Sequence, residues 1–289
     1  MRPKKKGSGF KIILIFIGIV ILGGMLFANG AFPSFEKSIP PPLSPDSELQ
    51  TPSSSGGQNN LQLTTFGFKE CGKLIALDFL VDSSGSMGST NKMSELQKGL
   101  REMINQYPDN GVIGLQVFNN PQIIPPNGVT ELVPISLYKN VKTQVASAIN
   151  SFSPGGATYS KNAFEFVQPK LLAAKSAFPN YKINLVFVSD GVPETIESDN
   201  ACLPGFCRAN ICNCFAPEQD PTGVAGQIKN DGIRIFTIAY VDQQDALLND
   251  KLQNLMKNVA SSPTDYYMAP TSSQITEILK QIAAKICKQ

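Results

Sequence analysis

From residue 74 to residue 81 the chain is apolar except at Asp78, the run expected of a strand covered on both faces. Apolar positions then recur three or four apart at Met93, Leu96, Leu100, Met103, Ile104 and Tyr107, which predicts an amphipathic helix, with Ser94 and Gln97 placed as its capping box. Strand patterns follow at 112–118 and 129–135, and helical ones at 141–152 and 161–177. Residues 183–188 and 233–241 read as two more buried strands, with a helix at 223–230 between them. The chain closes with a helix over 245–259, a short strand at 266–268 and a last helix. Ile275, Ile278, Leu279, Ile282, Ala283 and Ile286 form one stripe along that helix. Strands alternating with helices in this way predict a doubly wound α/β sheet.

The first 65 residues follow different patterns. Residues 12–28 carry no charge and as a helix would reach roughly 25 Å, near the lower limit for a bilayer core. Extended to residue 32, they predict one transmembrane helix. Arg2, Lys4, Lys5, Lys6 and Lys11 crowd the preceding basic segment, residues 1–11, and only Lys37 follows closely. This asymmetry predicts a single-pass protein with a cytoplasmic N-terminus and an extracytoplasmic remainder. A cleaved signal peptide is the alternative, but the apolar run is long for one and no A-x-A site follows. Residues 33–65 are rich in Pro and Ser and read as a tether to a domain over 66–289.

Composition narrows the chemistry. The net charge is +2, but five of the basic residues lie in the first eleven positions, so the remainder is net acidic and offers no footprint for nucleic acid. Histidine is absent, which excludes Ser-His-Asp and Cys-His catalysis and His-ligated zinc. With no Trp and 17 Phe, the core must rest on Ile, Leu, Val and Phe. Six cysteines in an exported domain point to disulfides.

Two buried strands end in aspartate, Asp82 and Asp190, and Asp82 opens the turn Asp82-Ser83-Ser84-Gly85-Ser86-Met87. Ligands of open α/β sheets bind beyond the strands' carboxyl ends. If the two strands are neighbours there, the carboxylates and hydroxyls form a hard-oxygen site suited to Mg²⁺, Mn²⁺ or Ca²⁺. The turn resembles the D-x-S-G-S-M motif of von Willebrand factor type A domains, which opens their metal-ion-dependent adhesion site. Gly155-Gly156-Ala157-Thr158 is similar to that family's threonine loop, and Ser189-Asp190-Gly191-Val192-Pro193 to its S-D-G-x-P segment.

The resemblance implies a mostly parallel six-stranded sheet with helices on both faces. Ser84 and Ser86 would hold a divalent cation, most readily Mg²⁺, directly, with Thr158 direct or through water and Asp82 and Asp190 through bound waters. An acidic side chain of a protein partner would complete the coordination. Both aspartates are expected at the rim, where replacement by Ala should leave the fold largely intact. Two positions stand out: Asp78 inside a buried strand, and Tyr240 where relatives often have glycine, read as a packing residue.

In such a fold Cys71 precedes the first strand at the bottom of the sheet, and the last helix brings Cys287 to the same edge. A Cys71–Cys287 disulfide is expected, as in some relatives. Cys202, Cys207, Cys212 and Cys214 crowd an insertion, residues 194–220, too small for its own core. Their spacing lacks a C-x2-C zinc knuckle, so two disulfides are preferred: 202–212 with 207–214, or 202–214 with 207–212. The insertion is expected to form a flap beside the ion that sets partner specificity. Two other functions remain. One is a Mg²⁺-dependent phosphohydrolase using Asp82, although Ser84 stands where such enzymes carry a second aspartate. The other is a structural surface or pilus-associated subunit with a vestigial metal site.

Overall fold

A computed structural model describes residues 65–68, 71, 74–194, 216–241 and 246–288. The basic N-terminus, the expected membrane helix, the tether up to residue 64 and the four cysteines of the insertion lie outside the described residues. No helix among the described residues is long and apolar enough to cross a membrane. The elements run β1 (Ile75–Asp82), α1 (Lys92–Ile104), β2 (Val112–Phe118), β3 (Val129–Leu137), α2 (Tyr138–Ile149), α3 (Ser160–Ala177), β4 (Lys182–Ser189), α4 (Thr222–Asn230), β5 (Arg234–Tyr240), α5 (Ala246–Val259), β6 (Tyr266–Ala269) and α6 (Ile275–Cys287).

The strands form one sheet in the order β3-β2-β1-β4-β5-β6. Every neighbouring pair is parallel except β2 and β3. Strand order reverses between β1 and β4, which makes their carboxyl ends the switch point where ligands of doubly wound sheets bind. β3 lies at the edge and is fully buried only at Val129 and Val133, whereas β1 and β2 are buried throughout. Pro134 stands in this edge strand where its pairing with β2 shifts register, the kind of position that tolerates a missing N–H.

Two cores cover the sheet. Ile75, Leu77, Phe79 and Val81 of β1 face α1, α2 and α6, while Ala76 and Leu80 face α3, α4 and α5. The period-2 alternation of a strand thus places, among the described residues, three helices on each face. α1 and α6 approach closely at Gly99, where a Cβ would meet Leu279 Cδ1 and Thr276 Oγ1 at 3.1 Å. Phe66 and Phe68 seal the bottom of the first core, with Phe68 edge-on to Tyr107 at 5.1 Å. Cys71 and Cys287 are joined there by a disulfide, as expected from their placement.

The capping box is not formed. α1 begins at Lys92, two residues ahead of Ser94, after Thr90 and Asn91 take left-handed conformations. Ser94 donates to the Asn91 carbonyl, and Gln97 reaches out of the helix to the Phe152 carbonyl at 3.0 Å. The chain enters this helix through a kink imposed by the loop above it, so its start lies earlier than the apolar stripe.

Candidate metal centre

β1 and β4 end side by side, and their terminal residues build the floor of the site. Asp82 is fully buried. Its Oδ1 accepts a hydrogen bond from the Ser84 backbone N–H at 2.8 Å, and its Oδ2 accepts one from Ser189 Oγ at 2.6 Å. Burial, then the nearby charge of Asp190, pushes the Asp82 carboxyl up to about 7, while the Ser189 and Ser84 hydrogen bonds pull the other way.

The turn after β1 is pinned on two sides. Ser83 donates through both N and Oγ to the Phe118 carbonyl at the end of β2, each at 2.8 Å. The Ser83 carbonyl accepts from Asn119 Nδ2 at 2.7 Å and from the Gly155 N–H at 2.8 Å, and the Gly85 N–H donates to the Gly156 carbonyl at 2.9 Å. The serine turn and the threonine loop are therefore one hydrogen-bonded unit. Gly156 has φ +70°, and a Cβ there would run into the side chains of Asn119 and Asn120, so only glycine fits.

Around this frame the expected residues converge. Ser84 and Ser86 hydroxyls lie 3.1 Å apart, and Ser86 Oγ donates to Asp190 Oδ1 at 2.7 Å. Thr158 is buried, and its Oγ1 has no hydrogen-bond partner. Gly191 packs against it, and a Cβ there would crowd that oxygen at 2.9 Å. Two participants escape a reading of sequence alone. Ser189 sits within the S-D-G segment and supports Asp82 rather than facing a ligand. Lys92 donates to Asp190 Oδ2 at 2.7 Å across 98 positions of sequence, and no local signal marks it.

This geometry corrects the expectation that both aspartates stand free at the rim. Asp82 lies on the floor, and the Asp190 side chain is wholly covered, paired with a Lys92 side chain only 7% exposed. Asp190→Ala would strand that ammonium, so this replacement is costly to the fold. Tyr240 is 1% exposed and its hydroxyl donates to the Lys92 carbonyl at 3.3 Å, which bears out the packing role.

A profile described as the von Willebrand factor type A domain matches residues 77–281. The chain belongs to this family. It is 22% identical over 239 residues to the thrombospondin-related anonymous protein of Plasmodium berghei, an alignment covering 81% of this chain and 34% of that protein. The pilus adhesin SpaC of Lactobacillus rhamnosus GG has a similar fold, with a TM-score of 0.59 at 18% identity over 75% of this chain and 31% of that one. Proximal thread matrix protein 1 of the mussel byssus, in a structure with a zinc-occupied MIDAS motif, gives 0.55 at 16% identity over 75% of this chain and 49% of that one. The chain thus spans about a third of the length of the Plasmodium and Lactobacillus proteins.

The donor set of this type A domain fits a hard divalent cation. It offers three hydroxyls and two carboxylates and no sulfur or imidazole, and one of those hydroxyls is a buried oxygen without a partner. A buried unpartnered hydroxyl costs stability unless something coordinates it. A cation would also offset the burial, and after it the Asp190 charge, that push the Asp82 carboxyl up. Among the described residues there is no cluster of three acidic or thiol side chains that would compete as a metal site.

Proposed function

We propose that this protein is a membrane-anchored, extracytoplasmic binding module whose type A domain engages a protein partner through a divalent cation. The observation that carries the reading is the buried, unpartnered Thr158 hydroxyl against Gly191, in a loop hydrogen-bonded to the turn that brings Ser84 and Ser86 to Asp190. Ser84, Ser86 and Thr158 would hold Mg²⁺, or Mn²⁺ or Ca²⁺, with neutral oxygens, and Asp82 and Asp190 would balance its charge. The bound ion would supply a Lewis-acidic centre for an acidic side chain of the partner. Adhesion is supported by the nature of the relatives, among them a pilus adhesin. The Cys71–Cys287 disulfide supports an oxidising, extracytoplasmic compartment.

A catalytic role for Asp82 is disfavoured. Both its oxygens accept hydrogen bonds and the residue is fully covered, whereas a nucleophile must reach its substrate. The Cys-rich insertion is proposed to contribute partner specificity, because it leaves the fold next to Thr158 and the described chain after it returns to the same segment. Glu194 N–H donates to the Thr158 carbonyl at 2.9 Å, and Ala216 N–H to the Pro193 carbonyl at 2.7 Å.

Titration calorimetry with Mg²⁺ and Mn²⁺, followed by partner capture with and without EDTA, tests the reading. Wild-type protein is expected to bind one ion and to lose its partner in EDTA, and Asp82→Asn to bind neither. Capture that persists in EDTA sinks the metal-dependent mechanism.

A further inference from the structure

Lys92 is a buried lysine at the one place in the domain where a buried cation is expected to come from solution. It is the first residue of α1, and its ammonium hydrogen-bonds to Asp190 Oδ2 at 2.7 Å, with the two side chains 7% and 0% exposed. Lysines are almost never this covered without a partner, and Asp190 is the acceptor that holds it. The ammonium is built into position rather than draped there. Left-handed Thr90 and Asn91 turn the chain into α1 directly above the site, the Ser272 hydroxyl fixes the Thr90 carbonyl at 2.9 Å, and the Tyr240 hydroxyl fixes the carbonyl of Lys92 itself.

The second oxygen of Asp190 accepts from Ser86 Oγ, which in turn lies beside Ser84 Oγ. The lysine therefore ties up one of the two carboxylates that would balance an incoming ion, and it does so on the side chain that accepts from Ser86. Any cation entering among these oxygens meets the two carboxylates offset by one fixed positive charge, and feels the repulsion of that charge at close range.

We propose that Lys92 is a tethered counter-cation that competes with the divalent ion for Asp190 and so sets the affinity of the site. With the ion absent, the ammonium keeps Asp190 paired and the serine turn closed. With the ion present, Asp190 must share its charge, so occupancy requires a higher concentration of ion than the oxygen donors alone would demand. This inference rests on the metal-dependent reading above and adds the residue that tunes it.

The test compares Mn²⁺ affinity by calorimetry, and the rise in melting temperature on replacing EDTA with Mn²⁺, in the full-length wild type, Lys92→Met and Lys92→Gln. Both variants remove the charge, and Gln retains a donor for Asp190 should Met fail to fold. The expected result is that the variants melt lower than wild type in EDTA, bind Mn²⁺ about tenfold tighter and gain more from it, the size of an ordinary coupling between two sites. A merely structural ion pair gives lower melting with unchanged or weaker Mn²⁺ binding, and that outcome overturns the inference while leaving the metal site standing. Binding by the variants but not by wild type means the lysine fills the site outright, which overturns both the metal-dependent reading and the inference that Lys92 only tunes it. Binding by neither overturns both.

Discussion

Thr158 Oγ1 and the Asp78 carboxylate are both buried without a well-formed hydrogen bond, and they differ in what they face. Thr158 Oγ1 lies against Gly191, in the loop whose Gly155 and Gly156 bond the serine turn, so on the metal-dependent reading its unmet bond has a claimant. Thr158→Val keeps the shape and removes the oxygen. It should raise the melting temperature in EDTA, because an unsatisfied buried group costs about 1–3 kcal/mol, while weakening Mn²⁺ binding. A variant that binds Mn²⁺ as wild type does would show that the hydroxyl is no ligand. Asp78 instead lies deep in β1, opposite Gly114, where any Cβ would collide with its carboxylate. Burial pushes it up to about 8, opposed by the Gln116 amide, raised further by Glu131 and lowered by Lys170. Its unfolded value is 3.8, so between roughly pH 4 and 8 the native state binds more protons than the unfolded chain, and stability falls as pH rises. Melting curves should show the wild type weaker at pH 8.5 than at pH 5.5, with Asp78→Asn losing much of that difference. An unchanged difference in the variant would mean Asp78 is not the group responsible.

At the scale of elements, the site depends on how closely α1 packs. Gly99 allows α1 to lie against α6 at Leu279 and Thr276, and α1 carries Lys92 at its N-terminal end. Gly99→Val overfills that contact, and overpacking of this kind costs about 1–3 kcal/mol. The expected outcome in denaturant unfolding is a loss in that range. A variant as stable as wild type would show that the two helices separate freely. The edge strand β3 and its proline illustrate the limit of local pattern. Its strand character is readable in the sequence, but its antiparallel pairing with β2 follows from the short connection between them.

For the whole molecule, the Cys71–Cys287 bond closes a loop of 216 residues and ties the segment before β1 to the end of α6. Chain-entropy reasoning puts its contribution at up to roughly 4–5 kcal/mol. Reduction, or a double Cys71→Ser and Cys287→Ser replacement, should lower the melting temperature while leaving Mn²⁺ affinity nearly unchanged, because the bond lies at the end of the sheet opposite the site. Loss of metal binding on reduction would reveal a coupling between the two ends that this arrangement does not provide.

Strands, helices, their two-faced burial and the carboxylates at two strand ends were all legible in the sequence, since each is a local pattern of period 2 or 3.6 or a short motif. The same holds for Ser84, Ser86 and Thr158, which stand in motifs a few residues long. The start of α1 was misplaced, because a loop kink rather than the apolar stripe decides it. What only the tertiary structure decided is pairing across distance. The adjacency of β1 and β4 unites Asp82 with Ser189 and places Asp190 beside Ser86, and the entry of α1 above them gives Asp190 its lysine. Such contacts join residues about a hundred positions apart, and they arise from strand order and helix placement, quantities no local window of sequence contains.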